Sequence, residues 1–442
     1  MKFSFNSRIT LTALSAVIAL GGFAKDIRSE MIANPDKCGG VYYAYPIASD
    51  SIVKTTAAPK GYKPFYISHY GRHGSRYLIS DNDYKNLLDK MQAADAAGAL
   101  TPFGKDVTRR LERVWDEANG RGGELSPLGA RQHHAIASRM FENYPEVFVD
   151  TADITAVSSQ VMRCAHSMFA FVEALKEKNQ SLNIPRESGQ RHMDYLCYWT
   201  PESGNFNSSK GTWRPDYLNF KASHTDGKRL VDALFADKKY AGEHIVPDEL
   251  IWEFYWVTVG QQNIENDDTF TDVLTPDELY NLWQVFNLQF YMRNAGYARS
   301  KGVHANNAKK LLSHIVDNAD KYIASGKTGA TLRFGHDGNI THLLTLMQLE
   351  NCAGVTSNPN QVKEVWNDFY VSPMAANLQL IFFRNEKNPD DILVKILHNE
   401  KESSVPVPTT KAPFYKWNDL RSYFKTMIER PFAETINARN ID

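Results

Sequence analysis

A strongly basic turn follows a short apolar run and limits both the fold and the ligands of this chain. Phe65–His69 is rich in aromatic and β-branched residues, which is typical of a buried strand. Shortly after it comes Arg72-His73-Gly74-Ser75-Arg76, in which two guanidinium groups flank one imidazole. Positive charges beside a histidine are unfavourable unless an anion compensates them, so the turn predicts an anion-binding site. Ligands of open α/β sheets bind beyond the carboxyl ends of strands, where such a turn would lie.

The rest of the chain favours a sheet with helices on both faces. Four further runs have the composition of buried strands, namely Ile154–Ser158, Thr331–Gly335, Leu378–Arg384 and Ile392–Leu397. Helical patterns lie between or after them, over Pro127–Tyr144, Val161–Lys176, Pro276–Ala298, Asn306–Ala324 and Ile340–Leu349. This alternation predicts an α/β fold. The turn-rich segment Asn385–Asp390 predicts an antiparallel hairpin at a sheet edge.

The chain between residues 181 and 303 differs in character from its flanks. It contains aromatic clusters, such as Tyr195–Trp199 and Trp252–Trp256, and no clear buried strand. We therefore expect a mostly helical insertion over 181–303, which divides the α/β domain into residues 25–180 and 304–442. Pockets often form between two such units, so some of these aromatic residues are candidates to line a substrate cleft.

The first 24 residues have the pattern of a secretory signal peptide. Lys2 and Arg8 flank a polar start, Ile9–Leu20 is apolar apart from small hydroxyl residues, and Ala24 offers a small residue for cleavage. The apolar run is too short to span a bilayer, which argues against a membrane anchor. The pattern predicts a periplasmic or secreted protein.

The charge balance limits the partners of the mature chain. The full chain has 50 basic and 51 acidic residues, and loss of Lys2 and Arg8 with the signal leaves 48 basic residues and a formal charge of −3. Nucleic-acid-binding proteins usually have a basic excess, so we expect no nucleic acid, and an anionic substrate must be held by a local cluster of cations. The expected partner is a small anionic phosphate ester, and the expected state is a monomer or weak oligomer. The four cysteines fit no zinc-binding spacing, and both disulfides and free thiols remain open for Cys38, Cys164, Cys197 and Cys352.

His73 is the candidate nucleophile of the basic turn. The charges of Arg72 and Arg76 disfavour imidazolium, so they lower the pKa of His73 and keep its ring neutral. A neutral imidazole nitrogen can attack a phosphoryl group whose oxygens the two guanidinium groups bind. Gly74 lets backbone approach a ligand closely.

Two further segments offer partners for this chemistry. His336-Asp337 follows the run Thr331–Gly335 and begins a helix, whose N-terminus favours anions. Asp337 is the candidate proton donor to a departing alcohol, with a pKa that bound phosphate would raise; the alternative is a turn or cap residue. Arg163, on the first turn of another predicted helix, is a candidate phosphate ligand, and the alternative is a solvated surface residue.

These motifs together resemble the histidine acid phosphatase family over about Phe65 to Ile340. The basic turn is similar to the family signature Arg-His-Gly-x-Arg, and His336-Asp337 is similar to its distal His-Asp pair. Arg163 falls where the family has a further phosphate-binding arginine, and Leu125–Gly129 with Gln132 also resembles a family segment.

The resemblance implies a fold, a mechanism and a set of roles. The fold is a phosphoglycerate-mutase-like sandwich, with a central mixed sheet flanked by helices and an inserted helical subdomain. The mechanism is phosphoryl transfer to His73 with Asp337 as the acid, followed by hydrolysis, without a metal or a cofactor. The implied phosphate-binding residues are Arg72, Arg76, Arg163 and His336.

The substrate and some details stay open. Leu78 stands where the family often has proline, which predicts a less rigid loop. The His-Asp pair resembles acid phosphatases and one class of phytases, whereas Tyr77 after the signature looks closer to inositol polyphosphate phosphatases. We favour phosphorylated inositols over simple phosphomonoesters. The same motifs would also fit a mutase-like phosphotransferase or a non-catalytic phosphate binder.

Three other histidines are interpreted as structural. His133 and His134 are neighbours on a predicted helix and point about 100° apart, so they do not converge on a metal and are predicted to be solvated. His69 ends the first predicted strand and is predicted to pack behind the site.

Overall fold

The computed structural model describes residues 26–48 and 54–435, and the predicted signal peptide over residues 1–24, with its cleavage site near Ala24, lies outside this range. The strands of the described residues belong to one sheet. They are β1 Tyr62–Arg72, β2 Asp153–Ser158, β3 Arg186–Glu187, β4 Gly329–Gly335, β5 Asn377–Asn385, β6 Ile392–His398, β7 Lys401–Glu402 and β8 Phe414–Lys416. All five predicted strands are confirmed, and the short β3, β7 and β8 were not predicted.

The sheet is mixed, and its parallel half brings the predicted site segments together. The strand order is β3-β2-β4-β1-β5-β6-β7, with β8 paired to β6. Because β1, β2 and β4 are parallel, their carboxyl ends share one edge, with Arg72 opposite Gly335 and Ser158 opposite Phe334. The three chemistry-bearing segments therefore leave the sheet side by side.

Helices cover both faces of the sheet, and further helices pack beside it. In chain order they are α1 Ile27–Ala33, α2 Asn82–Ala96, α3 Pro102–Ala118, α4 Pro127–Asn143, α5 Met162–Lys178, α6 Met193–Leu196, α7 Pro201–Asn207, α8 Arg214–His224, α9 Lys228–Leu234, α10 Lys238–His244, α11 Pro247–Gly260, α12 Pro276–Asn294, α13 Val303–Asn306, α14 Lys309–Ser325, α15 Asp337–Leu346, α16 Val362–Val365, α17 Asp368–Val371, α18 Trp417–Glu429 and α19 Phe432–Thr435. None of the helices in the described residues is long and apolar enough to cross a membrane.

The two faces of the sheet are covered by different helices. α4 and α5 bury one face with residues such as Ile136 and Phe171, and α14, α15 and α18 bury the other with Ile315, Leu343 and Phe424. Each of these helices has an apolar face at helical spacing, which explains why it packs on the sheet. The predicted α/β fold with a mixed sheet flanked by helices is confirmed.

A further apolar cluster lies between α2, α3, α11 and the first half of α12. Leu88, Leu111, Phe254 and Trp283 belong to it. Sequence patterns predicted a helical region over 181–303 but did not identify α2 and α3, which precede it and share its core. The domain boundaries at 181 and 303 stay a prediction.

The predicted hairpin is antiparallel, but its predicted position at a sheet edge is wrong. β5 lies inside the sheet between β1 and β6. β6 in turn pairs with β7 and β8 on its other side. These late strands have two and three residues, too few for an alternating pattern to be recognised.

Candidate active site

The basic turn after β1 is held by hydrogen bonds from several separate elements. The backbone N–H of Arg72 donates to the Ala376 carbonyl at 2.8 Å, and that of His73 donates to the Gly335 carbonyl at 2.9 Å. The Ser75 N–H donates to Oε1 of Gln132 at 2.8 Å, while its hydroxyl donates to Oδ1 of Asn263 at 2.7 Å. Because these partners come from the sheet, α4 and the helical region, the turn has a fixed geometry.

Position 74 needs a glycine because the backbone of the basic turn lies very close to the backbone at the start of α4. A Cβ atom added there would lie 2.4 Å from the Gly129 carbonyl oxygen, and one added to Gly129 would lie 2.2 Å from the Ser75 carbonyl oxygen. Gly74 is therefore needed for the contact with the start of α4, and its expected close approach to a ligand stays a prediction. This contact also explains the Leu125–Gly129 segment, since Ser126 caps α4 by accepting from the Gly129 N–H.

His73 is buried and presents an unprotonated nitrogen. Its Nδ1 lies 2.9 Å from the Gly74 carbonyl, so Nδ1–H donates there and Nε2 keeps its lone pair. Burial, and then the charges of Arg72, Arg163 and Arg76, hold the pKa of His73 well below its usual value of 6.5. This lowering of the His73 pKa was expected from the neighbouring arginines, although burial is its larger cause.

Arg72 joins the turn to Asp337. Its Nη2 lies 2.9 Å from Oδ2 of Asp337, and Nη1 donates to the carbonyls of Val41 and, at 2.7 Å, Ser372. The side chain is fully buried, and burial lowers the pKa of Arg72 to about 10. The guanidinium is thus held in one orientation by groups on three elements.

Asp337 stands at the start of α15 with its carboxylate 28% exposed. Its Oδ1 accepts from the Gly338 N–H at 2.7 Å. Burial would raise the pKa of Asp337, but the charge of Arg72, followed by those of His336 and Arg76, lowers it overall. Without a bound anion the carboxylate is therefore ionised, and a phosphate dianion beside it would shift the pKa upward.

Arg76 and Arg163 complete a cationic rim around His73. Arg76 donates through Nη2 to the Tyr42 hydroxyl at 3.2 Å, and its guanidinium carbon lies 4.7 Å from the centre of the Tyr42 ring. Arg163 is half-buried on the first turn of α5, with Nη1 3.4 Å from the Gly123 carbonyl. Burial, and then the charge of Arg76, lowers the pKa of Arg163. Among the described residues neither arginine has a carboxylate partner at ion-pair distance, so the rim is suited to a polyanion.

His336 faces His73 across this rim. Their ring centres are 5.9 Å apart, and Nε2 of His336 lies 3.0 Å from the Ser159 hydroxyl. Burial lowers the pKa of His336 to about 4 against the opposing charge of Asp337. A ring at this position can donate to an oxygen of a phosphoryl group whose phosphorus is attacked by His73.

Sequence reasoning missed the residues that support these side chains. Tyr42 orients Arg76, Ser159 orients His336, and Asn263 links the turn to the helical region while donating to the Tyr42 carbonyl at 2.8 Å. Ser159 directly follows a strand whose end was already singled out, so that adjacency was an available signal. No comparable signal marked Tyr42 or Asn263.

Leu78 and Tyr77, the two positions that the sequence analysis singled out after the basic turn, are both buried. Leu78 donates its N–H to the Tyr84 hydroxyl at 2.9 Å, a hydrogen bond that proline cannot make, and this bond holds the turn. Tyr77 is fully buried with its hydroxyl bonded to Glu117 at 2.7 Å. Tyr77 therefore influences a substrate only through packing. The four cysteines are free thiols.

The interpretation of the other histidines is partly wrong. His133 is buried between Phe171 and Phe334 rather than solvated, with ring centres 6.4 and 5.6 Å from theirs. His134 is exposed and pairs with Glu177 at 2.6 Å, as a solvated residue would. His69 packs on the same two phenylalanines behind the turn, as expected.

Comparisons with known proteins agree with this arrangement. Residues 71–399 match the model of the histidine phosphatase superfamily (branch 2). None of the curated proteins matches the sequence significantly. A multiple inositol polyphosphate phosphatase of Bifidobacterium longum, solved with phosphate, is similar in structure at a TM-score of 0.76 and 17% identity, over 88% of this chain and 97% of that one.

Two more solved structures have the same fold. The Bifidobacterium longum enzyme in complex with inositol hexasulfate has a TM-score of 0.73 and 18% identity, over 87% of this chain and 97% of that one. The phytase from D. castellii has a TM-score of 0.67 and 13% identity, over 92% of this chain and 88% of that one. At these identities the likeness concerns the fold.

The fold is a phosphoglycerate-mutase-like α/β sandwich, with a central mixed sheet flanked by helices. The chain belongs to the histidine phosphatase superfamily, branch 2. It is a histidine acid phosphatase.

Proposed function

We propose that the protein is an exported phosphatase that hydrolyses inositol polyphosphates through a phosphohistidine on His73. The observation that carries the proposal is the neutral, buried ring of His73, whose Nε2 is free and is surrounded by Arg72, Arg76 and Arg163. Among the described residues, Asp337 is the single carboxylate at ion-pair distance from these arginines. Such a rim binds an anion, and a neutral imidazole inside it is a nucleophile.

In the proposed first step, Nε2 of His73 attacks phosphorus and the bond to the ester oxygen breaks. The equatorial phosphoryl oxygens, on which transition-state charge accumulates, are bound by Arg72, Arg76, Arg163 and His336. Asp337, once bound phosphate has raised its pKa, gives its proton to the departing alcohol. The Nδ1–H bond to Gly74 fixes the ring orientation for in-line attack.

In the second step water attacks the phosphohistidine. Asp337, now a carboxylate, accepts a proton from this water, and His73 leaves as a neutral imidazole. The low pKa of His73 supports this step, because burial and the arginines disfavour a ring that keeps a positive charge. The products are inorganic phosphate and the free enzyme.

The preference for inositol polyphosphates is supported by the fold neighbour whose complexes contain phosphate and inositol hexasulfate. The positively charged rim suits a ligand with more than one phosphate. A broad phosphatase for simple phosphomonoesters would use the same turn and is the competing substrate assignment. Export is supported by the signal-like pattern of residues 1–24.

The direct test is phosphate release by the purified mature protein at pH about 4 to 7, with a chelator present. Inositol hexakisphosphate is compared with p-nitrophenyl phosphate, and the His73→Ala variant is the control. We expect much faster turnover of the hexakisphosphate. Release from the aryl ester alone would indicate a broad phosphatase, and binding without release from either would indicate a phosphate-binding protein.

A further inference from the structure

The ring of His336 has one oxygen partner, and that partner is a serine hydroxyl. Nε2 of His336 lies 3.0 Å from Oγ of Ser159. Within the described part of the chain, Nδ1 of His336 has no hydrogen bond to an oxygen atom. Sγ of Cys164 lies 3.9 Å from Nδ1 and 3.7 Å from Nε2, so the sulfur packs beside the ring and favours neither nitrogen. The serine hydroxyl is therefore the group that distinguishes the two nitrogens.

Ser159 is fixed in place where the chain leaves β2. The residue is fully buried, and its N–H donates to the Phe334 carbonyl at 3.0 Å. Its own carbonyl accepts from the Ser158 hydroxyl at 2.9 Å. Both backbone groups of Ser159 are thus occupied, so the end of the sheet sets the position of its hydroxyl relative to His336.

The direction of the hydrogen bond follows from the burial of the serine. A buried hydroxyl proton needs an acceptor, and Nε2 of His336 is the ring nitrogen within reach of Ser159. The alternative acceptor is Sγ of Cys164, but thiol sulfur accepts weakly, and this thiol donates its own proton to the Gly335 carbonyl at 3.2 Å. The Ser159 hydroxyl therefore donates to Nε2, which leaves the proton of the neutral ring on Nδ1.

The neutral ring of His336 has a single N–H to offer a ligand. Burial lowers the pKa of His336 to about 4, and the charge of Asp337 opposes this lowering. The charged and titratable groups around the ring come from the basic turn, α5 and α15, namely Arg72, His73, Arg76, Arg163, Cys164 and Asp337. Above this pKa a phosphoryl oxygen can accept a hydrogen bond only from the nitrogen that carries the proton.

We infer that Ser159 is a positioning residue, which holds neutral His336 as the Nδ1–H tautomer and leaves that N–H available to a phosphoryl oxygen. The catalytic consequence rests on the proposed function, whereas the tautomer does not. The two histidines of the site then use one tautomer for opposite purposes. In His73 the Gly74 carbonyl accepts from Nδ1–H and a lone pair is left for attack, while in His336 the Ser159 hydroxyl occupies the lone pair and an N–H is left for binding.

The first test observes the tautomer directly. Histidine rings labelled with nitrogen-15 are recorded by NMR at a pH of about 7, where His336 is neutral, and its signals are identified by their loss in His336→Gln. We expect the proton on Nδ1 in wild type and in Ser159→Thr, which keeps the hydroxyl, and a loss of this preference in Ser159→Ala. A proton on Nε2 of His336 in wild type would overturn the inference, whether or not any variant folds.

The second test uses the pH dependence of the defect in Ser159→Ala. Below its pKa the His336 ring carries a proton on both nitrogens, so the tautomer no longer matters. With p-nitrophenyl phosphate, the ratio of kcat/KM between wild type and Ser159→Ala should be about tenfold or more near pH 7 and about threefold or less near pH 4. Titration of His73 and Asp337 acts on both enzymes alike and cancels in this ratio.

Ser158→Ala is the matched control, after thermal unfolding has verified that both alanine variants fold. It removes a buried hydroxyl that bonds to the Ser159 carbonyl and has no hydrogen bond to His336, so kcat/KM should change less than about twofold at both pH values. A defect of Ser159→Ala that is equal at both pH values, or that Ser158→Ala shares, would show a merely structural role and overturn the inference. Failure of the wild type to cleave any phosphate ester, with the proton observed on Nδ1, would count against the proposed function alone.

Discussion

Two histidine pairs lie at the same end of the sheet and differ in what surrounds them. His69 and His133 are behind the basic turn, where Phe171 and Phe334 pack on both rings. His73 and His336 are in front of it, with the arginine rim around them. A Cβ atom added to Gly71 would lie 2.8 Å from Cε1 of His69 and 3.6 Å from Cε1 of His133, so the rear pair packs directly against the end of β1.

The comparison shows that a low histidine pKa is insufficient to define an active site. Burial lowers the pKa of His133 to about 4 and that of His69 well below 6.5, with little help from fixed charges. His73 is equally buried, but its low pKa also reflects the charges of three arginines. Only the front pair combines a neutral ring with donors for an anion.

The largest expected effect is the difference in kcat between a variant of His73 and a variant of His69. His73→Ala removes the proposed nucleophile and should lower kcat by at least about a thousandfold. His69→Phe replaces a ring that packs on Phe171 and Phe334 behind the turn and should change kcat by less than about threefold. Steady-state assays with p-nitrophenyl phosphate measure both. Comparable losses in the two variants would remove the distinction between the pairs.

A second effect concerns the acid on the front side. Asp337→Asn cannot donate a proton to the leaving group, so kcat for an alkyl phosphate should fall by about a hundredfold or more. Nitrophenol leaves with little protonation, and its ester should be less affected. Parallel kinetics on the two esters provide the measurement, and equal losses would contradict the acid role of Asp337.

The rear pair should contribute to the loss of stability in acid. The unfolded pKa of histidine is about 6.5 and the folded pKa of His133 is about 4, so the unfolded state binds the proton first. The neutral ring of His133 therefore contributes to the free energy of unfolding above pH 6.5, and this contribution is lost as the pH falls toward 4. His133→Phe should therefore flatten this loss by about 1 to 3 kcal/mol, as measured by urea unfolding from pH 4 to 7. An unchanged slope would show that His133 is protonated in the folded state.

A smaller effect of opposite sign is expected from Asp368. This carboxyl is fully buried, and burial raises its pKa to about 7, although Trp283 and the Phe369 N–H donate to it at 2.9 Å. Its folded pKa exceeds the unfolded one, so its contribution is present below pH 4 and is lost as the pH rises through 7. Asp368→Asn should gain about 1 to 2 kcal/mol relative to wild type between pH 4 and 7. A constant difference across that range would contradict this assignment.

Much of the fold and of the site was predictable because the signals are local. Buried strands followed by polar residues marked all three segments of the site, and parallel pairing brings their ends together. Arg72, His73, Arg76, Arg163, His336 and Asp337 are thus assembled on one rim. The roles assigned to them remain part of the proposed function.

The supporting residues were not predictable because their contacts are distant in sequence. Tyr42 reaches Arg76 across 34 positions, and Asn263 reaches Ser75 across 188. The prediction for His133 failed for a geometric reason: neighbours on a helix point about 100° apart, so one of a pair can face the core while the other faces solvent. His133 faces the core and His134 faces solvent.

The most direct test of the account is to trap the covalent intermediate. Wild type and His73→Ala are mixed with radiolabelled substrate, quenched in base within milliseconds, digested and analysed by mass spectrometry. The account predicts a phosphohistidine on the wild-type peptide that contains His73, formed and lost at rates compatible with turnover, and none in the variant. Turnover without a phosphorylated His73, or with the label on another residue, would contradict it.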